Sequence, residues 1–279
     1  MTIGNVTVTK TQYASEVVAL YDRTQSFFRG TVLTKGDVNG ESYVFTVGPV
    51  ADMAVERGAD GDIPNLGDNQ TSVTCTLKEY HAKARKNGFH MAVSAVNQRT
   101  VMQNQTVASM NKRTDQLIIT QLDTSAYNTG AAAAGNSVGF WLEARMILGN
   151  NDVPTDDGKL WCAVTPAANE QKARVAQATS RDYVDSREFM KPRRVVEWMG
   201  IKFFVHTGLP GKTTASATCF LWHEDAVGHG LNMPEGKTAF GYDDEQDRTF
   251  SRVSNYQGSK MIQDEGVVEV VHDDTAALV

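Results

Sequence analysis

From Phe89 to Thr129 the chain contains neither glycine nor proline, and Gly88 and Gly130 bracket that window. Those two residue types most readily end a helix, so the polar-amphipathic run from Asn97 to Tyr127 predicts one long helix. Val107, Met110, Thr114, Leu117, Ile118 and Leu122 recur at steps of three or four and define one face. Gln103, Asn104, Asn111, Lys112, Asp115, Gln116 and Asp123 fall mostly on the others. At the usual rise such a helix is about 45 Å long, more than a small domain needs. Its apolar stripe is narrow, which suits a coiled-coil arm or a beam along a flat molecule better than an ordinary domain helix. Unbroken heptads do not extend beyond about three turns, which disfavours the coiled coil.

Around the helix the pattern changes period. Val6 and Val8 alternate, and Val17, Val18, Leu20 and Tyr21 suit a short amphipathic helix, too little apolar surface to stand alone. Gly36-Asp37 and Asn39-Gly40 supply turn residues, after which Tyr43, Phe45 and Val47 alternate as a half-buried strand. Val73, Cys75, Leu77 and Tyr80 form a second alternating strand. The glycine-rich polar segment between them makes an extended β-hairpin with an oversized tip. Asp60, Asp62 and Asp68 in that tip lack the ligand spacing of a calcium loop.

Beyond the long helix, Gly130 to Asn136 reads as a hinge. Residues 138 to 148 then place Phe140, Trp141, Ala144, Ile147 and Leu148 on one side of a second helix. Lys159 to Thr165 reads as a buried strand, and Thr165-Pro166 opens a helix to about Thr179 with a hydroxyl cap and proline at its first position. A mixed-charge loop around Arg181, Asp185, Arg187, Arg193 and Arg194 suits a solvated face or a docking surface. Val195 to His206 is β-prone, with Ala217 to Trp222 as its expected partner across the intervening turn. An acidic turn, Asp243 to Asp247, and a closing strand, Val267 to Val271, complete an α+β pattern without regular βα alternation.

Composition narrows the function. A chain of 279 residues with 41% hydrophobic residues supports one large core or two modest ones. A net charge of −6 leaves no general basic surface, so any DNA partner is enclosed and not read. Cys75, Cys162 and Cys219 lie far apart in strand-like apolar runs, as buried free thiols do. No cationic-then-apolar leader and no apolar run of about eighteen residues is present, so a soluble, unanchored cytoplasmic product is expected. Gly211, Lys212 and Thr213 match the end of a phosphate-binding loop, but His206 stands where its first glycine belongs and a strand-like run follows. His223, Glu224 and His229 lack the one-turn spacing of a zinc helix. With no nucleophile elbow or paired-carboxylate site either, no catalytic residue, metal or cofactor is expected.

Five phrases, taken in order, carry a family resemblance: Thr34 to Val47, Thr71 to Ala84, Val195 to Gly211, Cys219 to Asn232 and Gly266 to Asp274. Their order resembles the major capsid proteins of tailed bacteriophages, whose fold is the Hong Kong ninety-seven type. The resemblance implies an N-arm at 1–30, an E-loop hairpin at 31–88, a peripheral (P) domain at 89–150 and 235–279 with the long helix as its spine, and an axial (A) domain at 151–234. It implies a structural subunit that assembles into hexamers and pentamers of an icosahedral shell around double-stranded DNA. The virion is then its location, with assembly in the host cytoplasm. It implies no membrane, a separate scaffolding protein and a portal. Contacts between copies are expected at the hairpin tip, through Arg57, Asp60, Asp62, Asn65 and Asp68. They are also expected at the charged loop of the A domain, through Arg181, Asp185, Arg187, Arg193 and Arg194. Two alternatives stay open: an encapsulin-like compartment shell, and a nucleotide-binding enzyme using Gly208 to Thr213.

Overall fold

The computed structural model describes residues 25–48, 53, 54, 56, 57, 61, 63, 70–94, 97–130, 135–174, 194–232 and 237–276. The expected N-terminal strand and helix lie outside them. The long helix, α2, spans Gln98–Leu122, and a six-residue helix, α1 (Gly88–Val93), precedes it. At 25 residues α2 is about 37 Å long. The Asn97 side chain caps it by accepting from the Thr100 amide, satisfying one of the amides that a helix start leaves unpaired.

No glycine ends α2. Beyond Leu122 the chain instead becomes extended, because the Tyr127 carbonyl accepts from the Glu269 amide and the Thr129 amide donates to the Glu269 carbonyl. The closing strand therefore competes successfully for the last residues of the predicted helix. The buried face runs through Met102, Thr106, Met110, Thr114, Ile118 and Leu122. Two of the expected apolar positions depart from it: Val107 is 44% exposed and Leu117 is half-buried. The stripe can be narrow because threonines share it. The Thr106 hydroxyl returns to the Met102 carbonyl, and the Thr114 hydroxyl, 3.2 Å from the Met110 carbonyl, shares its one proton between that oxygen and Gln257 Oε1, which allows both to be buried.

Under this face runs β11 (Arg248–Met261), a strand of 14 residues. The Thr114 hydroxyl donates to Gln257 Oε1 at 2.8 Å, and the hydroxyls of Thr106 and Ser251 lie 3.3 Å apart. One sheet is built around this strand. β9 (Val227–Leu231) and β10 (Lys237–Asp243) pair with successive parts of it, β4 (Lys78–Asn87) with residues 248–257, and β1 (Leu33–Lys35) lies parallel to β9.

The expected hairpin is present as β2 (Ser42–Val47) against β3 (Thr71–Thr76), with Phe45 and Cys75 buried. At its base the chain does not turn but passes from β3 into β4, so one continuous run serves the arm and the main sheet. Close approach at this junction requires glycine: a Cβ on Gly258 would sit 2.3 Å from the Thr76 carbonyl oxygen.

The second sheet has the order β12-β8-β5-β7-β6, formed by Val267–His272, Ala217–His223, Leu160–Val164, Ile201–Val205 and Val195–Trp198. One face packs Phe204, Phe220, Trp222 and Val267 against Phe28 and the α2 residues Ile118, Ile119 and Leu122. The other packs Cys162, Ile201, Phe203, Leu221 and Val268 against Trp141, Ala144 and Leu148 of α3 (Val138–Asn150) and Ala168 of α4 (Pro166–Ala173). Thr165 caps α4 as its sequence predicts.

Two expectations need correction here. The β-prone run from Val195 to His206 is a hairpin, because Met199 and Gly200 both take positive φ, 55° and 75°, as a two-residue turn demands. β8 does not pair with β7; β5 lies between them, parallel to β7 and antiparallel to β8. The closing strand likewise pairs with β8 in this sheet and meets only the C-terminal end of α2, leaving β11 beneath the rest of the stripe.

Candidate functional site

The most tightly built polar site sits where α2 crosses the second sheet. Asp115, expected on a polar helix face, has a fully buried carboxylate. Ser26 Oγ donates to it at 2.6 Å, the amides of Phe27 and Phe28 at 3.1 and 3.3 Å, and His206 Nε2 at 3.2 Å. The His206 tautomer follows from its other nitrogen: Nδ1 accepts from the Gly208 amide, so the proton is on Nε2 and points at the carboxylate. Phe28 stacks on Trp222 at 5.4 Å and meets Phe204 edge-on at 5.2 Å, and Trp222 Nε1 donates to the Thr31 carbonyl. Asp115 thus clamps the segment around Phe27 and Phe28 between the helix and the second sheet. A carboxylate closed to solvent that takes donors from the segment around Phe27 and from His206 holds structure.

A second clamp closes the end of the chain. Asp274 accepts from the Thr165 hydroxyl at 2.6 Å and from the Thr213 amide at 2.9 Å, and His272 Nε2 lies 2.7 Å from it. At the turn whose sequence resembles a phosphate loop, a carboxylate of the chain itself therefore takes the Thr213 amide. The turn then enters strand β8 with no helix N-terminus to face an anion. His223 and His229 also part company: His223 Nε2 bonds Asp157 Oδ2 at 2.8 Å, and His229 Nδ1 bonds Ser259 Oγ on β11 at 2.8 Å.

Burial shifts several groups. Desolvation, with the Arg29 cation nearby, pushes His229 down to about 4. Burial pushes the Cys219 thiol up to about 12, and raises those of Cys162 and Cys75 as well, so all three remain inert free thiols. Lys172, its Nζ 3.9 and 3.5 Å from the ring centroids of Trp141 and Phe203, is pulled down to about 8 by burial. Near the end of α2, burial raises Glu269 to about 7, reinforced by the carboxylates of Asp123 and Asp264.

Of the ten residues expected to touch neighbours, two are among the described residues. Arg57 at the hairpin tip is exposed, while Asp60, Asp62, Asn65 and Asp68 lie outside the described residues. Arg194 is exposed, with its guanidinium 4.1 Å from the Phe27 ring centroid and a hydrogen bond to Gln25; Arg181, Asp185, Arg187 and Arg193 lie outside the described residues. Large apolar side chains stand in solvent at several places: Met53 is 90% exposed, Ile63 79%, Phe89 and Val93 68% each. The buried roles of Asp115, Lys172 and Gln257 were not legible, because no local pattern distinguishes them from surface residues; only the absence of an apolar residue from part of the helix stripe hinted at polar burial.

A thin hairpin arm, a long half-polar helix on one long strand and a second sheet locked by buried clamps define a structural building block whose remaining surface calls for partners. The chain belongs to the phage capsid protein family, whose model matches residues 6–274. No curated protein matches it by sequence. Among solved structures it resembles one from Mycobacterium phage Che8, with a TM-score of 0.77 at 13% identity, covering 98% of this chain and 100% of that one. The capsid of Cyanophage P-SCSP1u gives 0.71 at 13% identity, over 95% and 93%. The head of Helicobacter pylori bacteriophage KHP40 gives 0.68 at 11% identity, over 96% of each. The fold is the tailed-phage capsid fold, and the chain is a structural subunit of a phage capsid shell.

Proposed function

We propose that copies of this chain form the hexamers and pentamers of an icosahedral shell that closes around double-stranded phage DNA in the host cytoplasm. A family match running from residue 6 to residue 274 carries this reading, since it takes in the hairpin, the long helix and both sheets and not one motif. The physical economy agrees. A flat subunit with a narrow-striped helix and exposed apolar side chains gains much of its burial from neighbours. In this reading the hairpin is the E-loop, residues 89–150 and 235–279 form the P domain, and residues 151–234 form the A domain. The strand Val267–His272 bridges the last two, because it hydrogen-bonds to β8 while its Val267 packs on α2.

The hairpin tip, with Arg57, Asp60, Asp62, Asn65 and Asp68, reaches a neighbouring copy. The charged loop with Arg181, Asp185, Arg187, Arg193 and Arg194 contacts another near the capsomer centre. A separate scaffolding protein sets the curvature, a portal occupies one vertex, and the DNA is held without sequence recognition. Electron microscopy of the purified protein, alone and with its scaffold, tests the proposal. Closed shells of megadalton mass are the expected result, and a monomer that stays monomeric under every assembly condition refutes it.

A further inference from the structure

Charge is unevenly spread along the chain. Between residues 78 and 99 stand Lys78, Lys83, Arg85, Lys86 and Arg99 against a single carboxylate, Glu79, although the net charge of the whole chain is −6. The fold gathers part of this excess into an open groove of about 540 Å³ where β4 ends and α1 and α2 begin, lined by Arg85, Lys86, Asn87, His90, Val93, Ser94 and Gln98. Its floor is ordered by hydrogen bonds: Lys86 Nζ donates to Gln98 Oε1, and Gln98 Nε2 donates to Ser94 Oγ at 2.7 Å. The Arg85 side chain stands exposed beside it.

On the same end of the sheet lies the four-residue turn between β10 and β11, flanked and filled by Asp243, Asp244, Glu245 and Asp247. Its position relative to the groove is rigid. The Gly88 amide donates to the Asp247 carbonyl at 2.9 Å, and Asn87 pairs with Arg248. The Asp247 carboxylate accepts from the Tyr242 hydroxyl and fills the space over Gly88, where a Cβ would meet it at 2.4 Å. Asp247 itself sits at φ 44°, a left-handed conformation that aspartate tolerates in turns. Asp244 and Glu245 are exposed at the tip. Among the described residues no ion pair joins this turn to Arg85 or Lys86, so two opposite charges lie side by side on one rigid end and neither neutralises the other.

We propose that this end is a contact between copies: the Asp243–Asp247 turn of one subunit seats in the Arg85–Lys86–His90 groove of a second. Turn and groove are adjacent on each subunit but do not coincide, so the contact is head-to-tail. Each copy that gives its turn also offers its groove, and such a contact closes a ring when the rotation between copies allows. Opposite charge supplies both attraction and register, and makes the contact weaken with salt because the pairs lie at an exposed rim. The inference rests on the shell reading and adds a partner surface to it.

Charge reversal tests it in three variants: R85E/K86E, D244K/E245K, and the combined four-residue variant, each compared with the wild-type chain by light scattering and electron microscopy in moderate salt. Each paired reversal is expected to slow assembly about tenfold or more, as opposed charges become like charges, while the melting of the unassembled subunit stays at the wild-type value. The combined variant restores the complementarity in reversed sense and is expected to assemble again. Unimpaired assembly of R85E/K86E overturns the proposal, as does a combined variant that melts normally and fails to assemble. Rescue of R85E/K86E by reversing Asp60 and Asp62 would give the groove to the hairpin loop and overturn it equally. If the wild-type chain forms no shells, it is the capsid reading that has failed.

Discussion

Replacing Asp115 by alanine removes the acceptor on which three elements converge. The amides of Phe27 and Phe28 and the His206 Nε2 proton lose their partner, and Phe28 and His206 are buried where water cannot replace it. A buried donor left unpaired costs about 1–3 kcal/mol. Ser26 is only half-buried and can turn to solvent, so its hydroxyl adds little. The alanine variant is also spared the burial of a carboxylate, which offsets part of the loss. The balance is a destabilisation of about 3–5 kcal/mol, in the range found when one partner of a buried charged network is removed. Against a typical total of about 5–15 kcal/mol this is a large fraction. Urea unfolding of the unassembled subunit, followed by tryptophan fluorescence, measures it through the change in midpoint at constant slope. Trypsin supplies a local readout, since loss of the clamp should expose the bond after Arg29 before global unfolding. Asp115→Asn keeps one acceptor oxygen but turns an amide NH₂ toward other donors, and should fall between the two. A loss below about 1 kcal/mol for Asp115→Ala would mean that the converging donors find other partners and that the clamp is not a fastening.

The pair Thr114 and Gln257 should couple in a double-mutant cycle. Thr114→Val alone strands the buried Gln257 Oε1 and costs about 1–3 kcal/mol, whereas in Gln257→Leu the Thr114 hydroxyl falls back on the Met110 carbonyl and the loss is smaller; the double variant should cost less than the sum, as read by urea midpoints. Gly258→Ala should destabilise the subunit by about 1–3 kcal/mol because its new methyl group meets backbone, the Thr76 carbonyl, which cannot rotate away. Two groups oppose each other in acid. His229, held down to about 4, contributes stability that is lost as pH falls from 6.5 toward 4, because the unfolded chain takes the proton first. Glu269, raised to about 7, contributes stability that is present at low pH and lost as pH rises from about 4.5 to 7. Glu269→Gln should therefore raise the melting temperature at pH 8 and unmask a steeper loss of stability on acidification through His229, measured by thermal melts across pH 4–8.

The parts legible in the sequence share one property, local repetition. Tyr43, Phe45 and Val47 stand at alternate positions, with Val44 and Thr46 between them exposed, because a two-stranded arm has one packed face. Trp141, Ala144 and Leu148 recur at helical steps because α3 lies on a sheet. The cap of Thr165 on α4 was readable for the same reason, since donor and acceptor are three residues apart. Non-local pairing was not readable. Val195 to His206 and Ala217 to Trp222 are both strongly β-prone, and nothing in either says that β5 will slide between them. The chain predicts a helix to Tyr127 because no helix breaker stands between Leu122 and Tyr127; what ends the helix at Leu122 is a strand more than a hundred residues away.

The same division holds for the surfaces by which the subunit meets its neighbours. Hydrophobic period and net charge are properties of the chain as a string, and so is the order of the five phrases whose resemblance to the tailed-phage capsid proteins points to a shell subunit. Burial of Asp115, the pairing of β12 with β8 and the placement of an acidic turn beside a basic groove depend on which distant segments are brought together. A carboxylate on a helix looks solvated until a segment 87 to 89 residues earlier supplies its donors. Likewise, Lys86 and Asp244 are 158 positions apart in the sequence. They come to lie on one edge of the molecule because β4 and β10 both pair with β11, and the free energy of that pairing is distributed along the whole of a fourteen-residue strand, in no one motif.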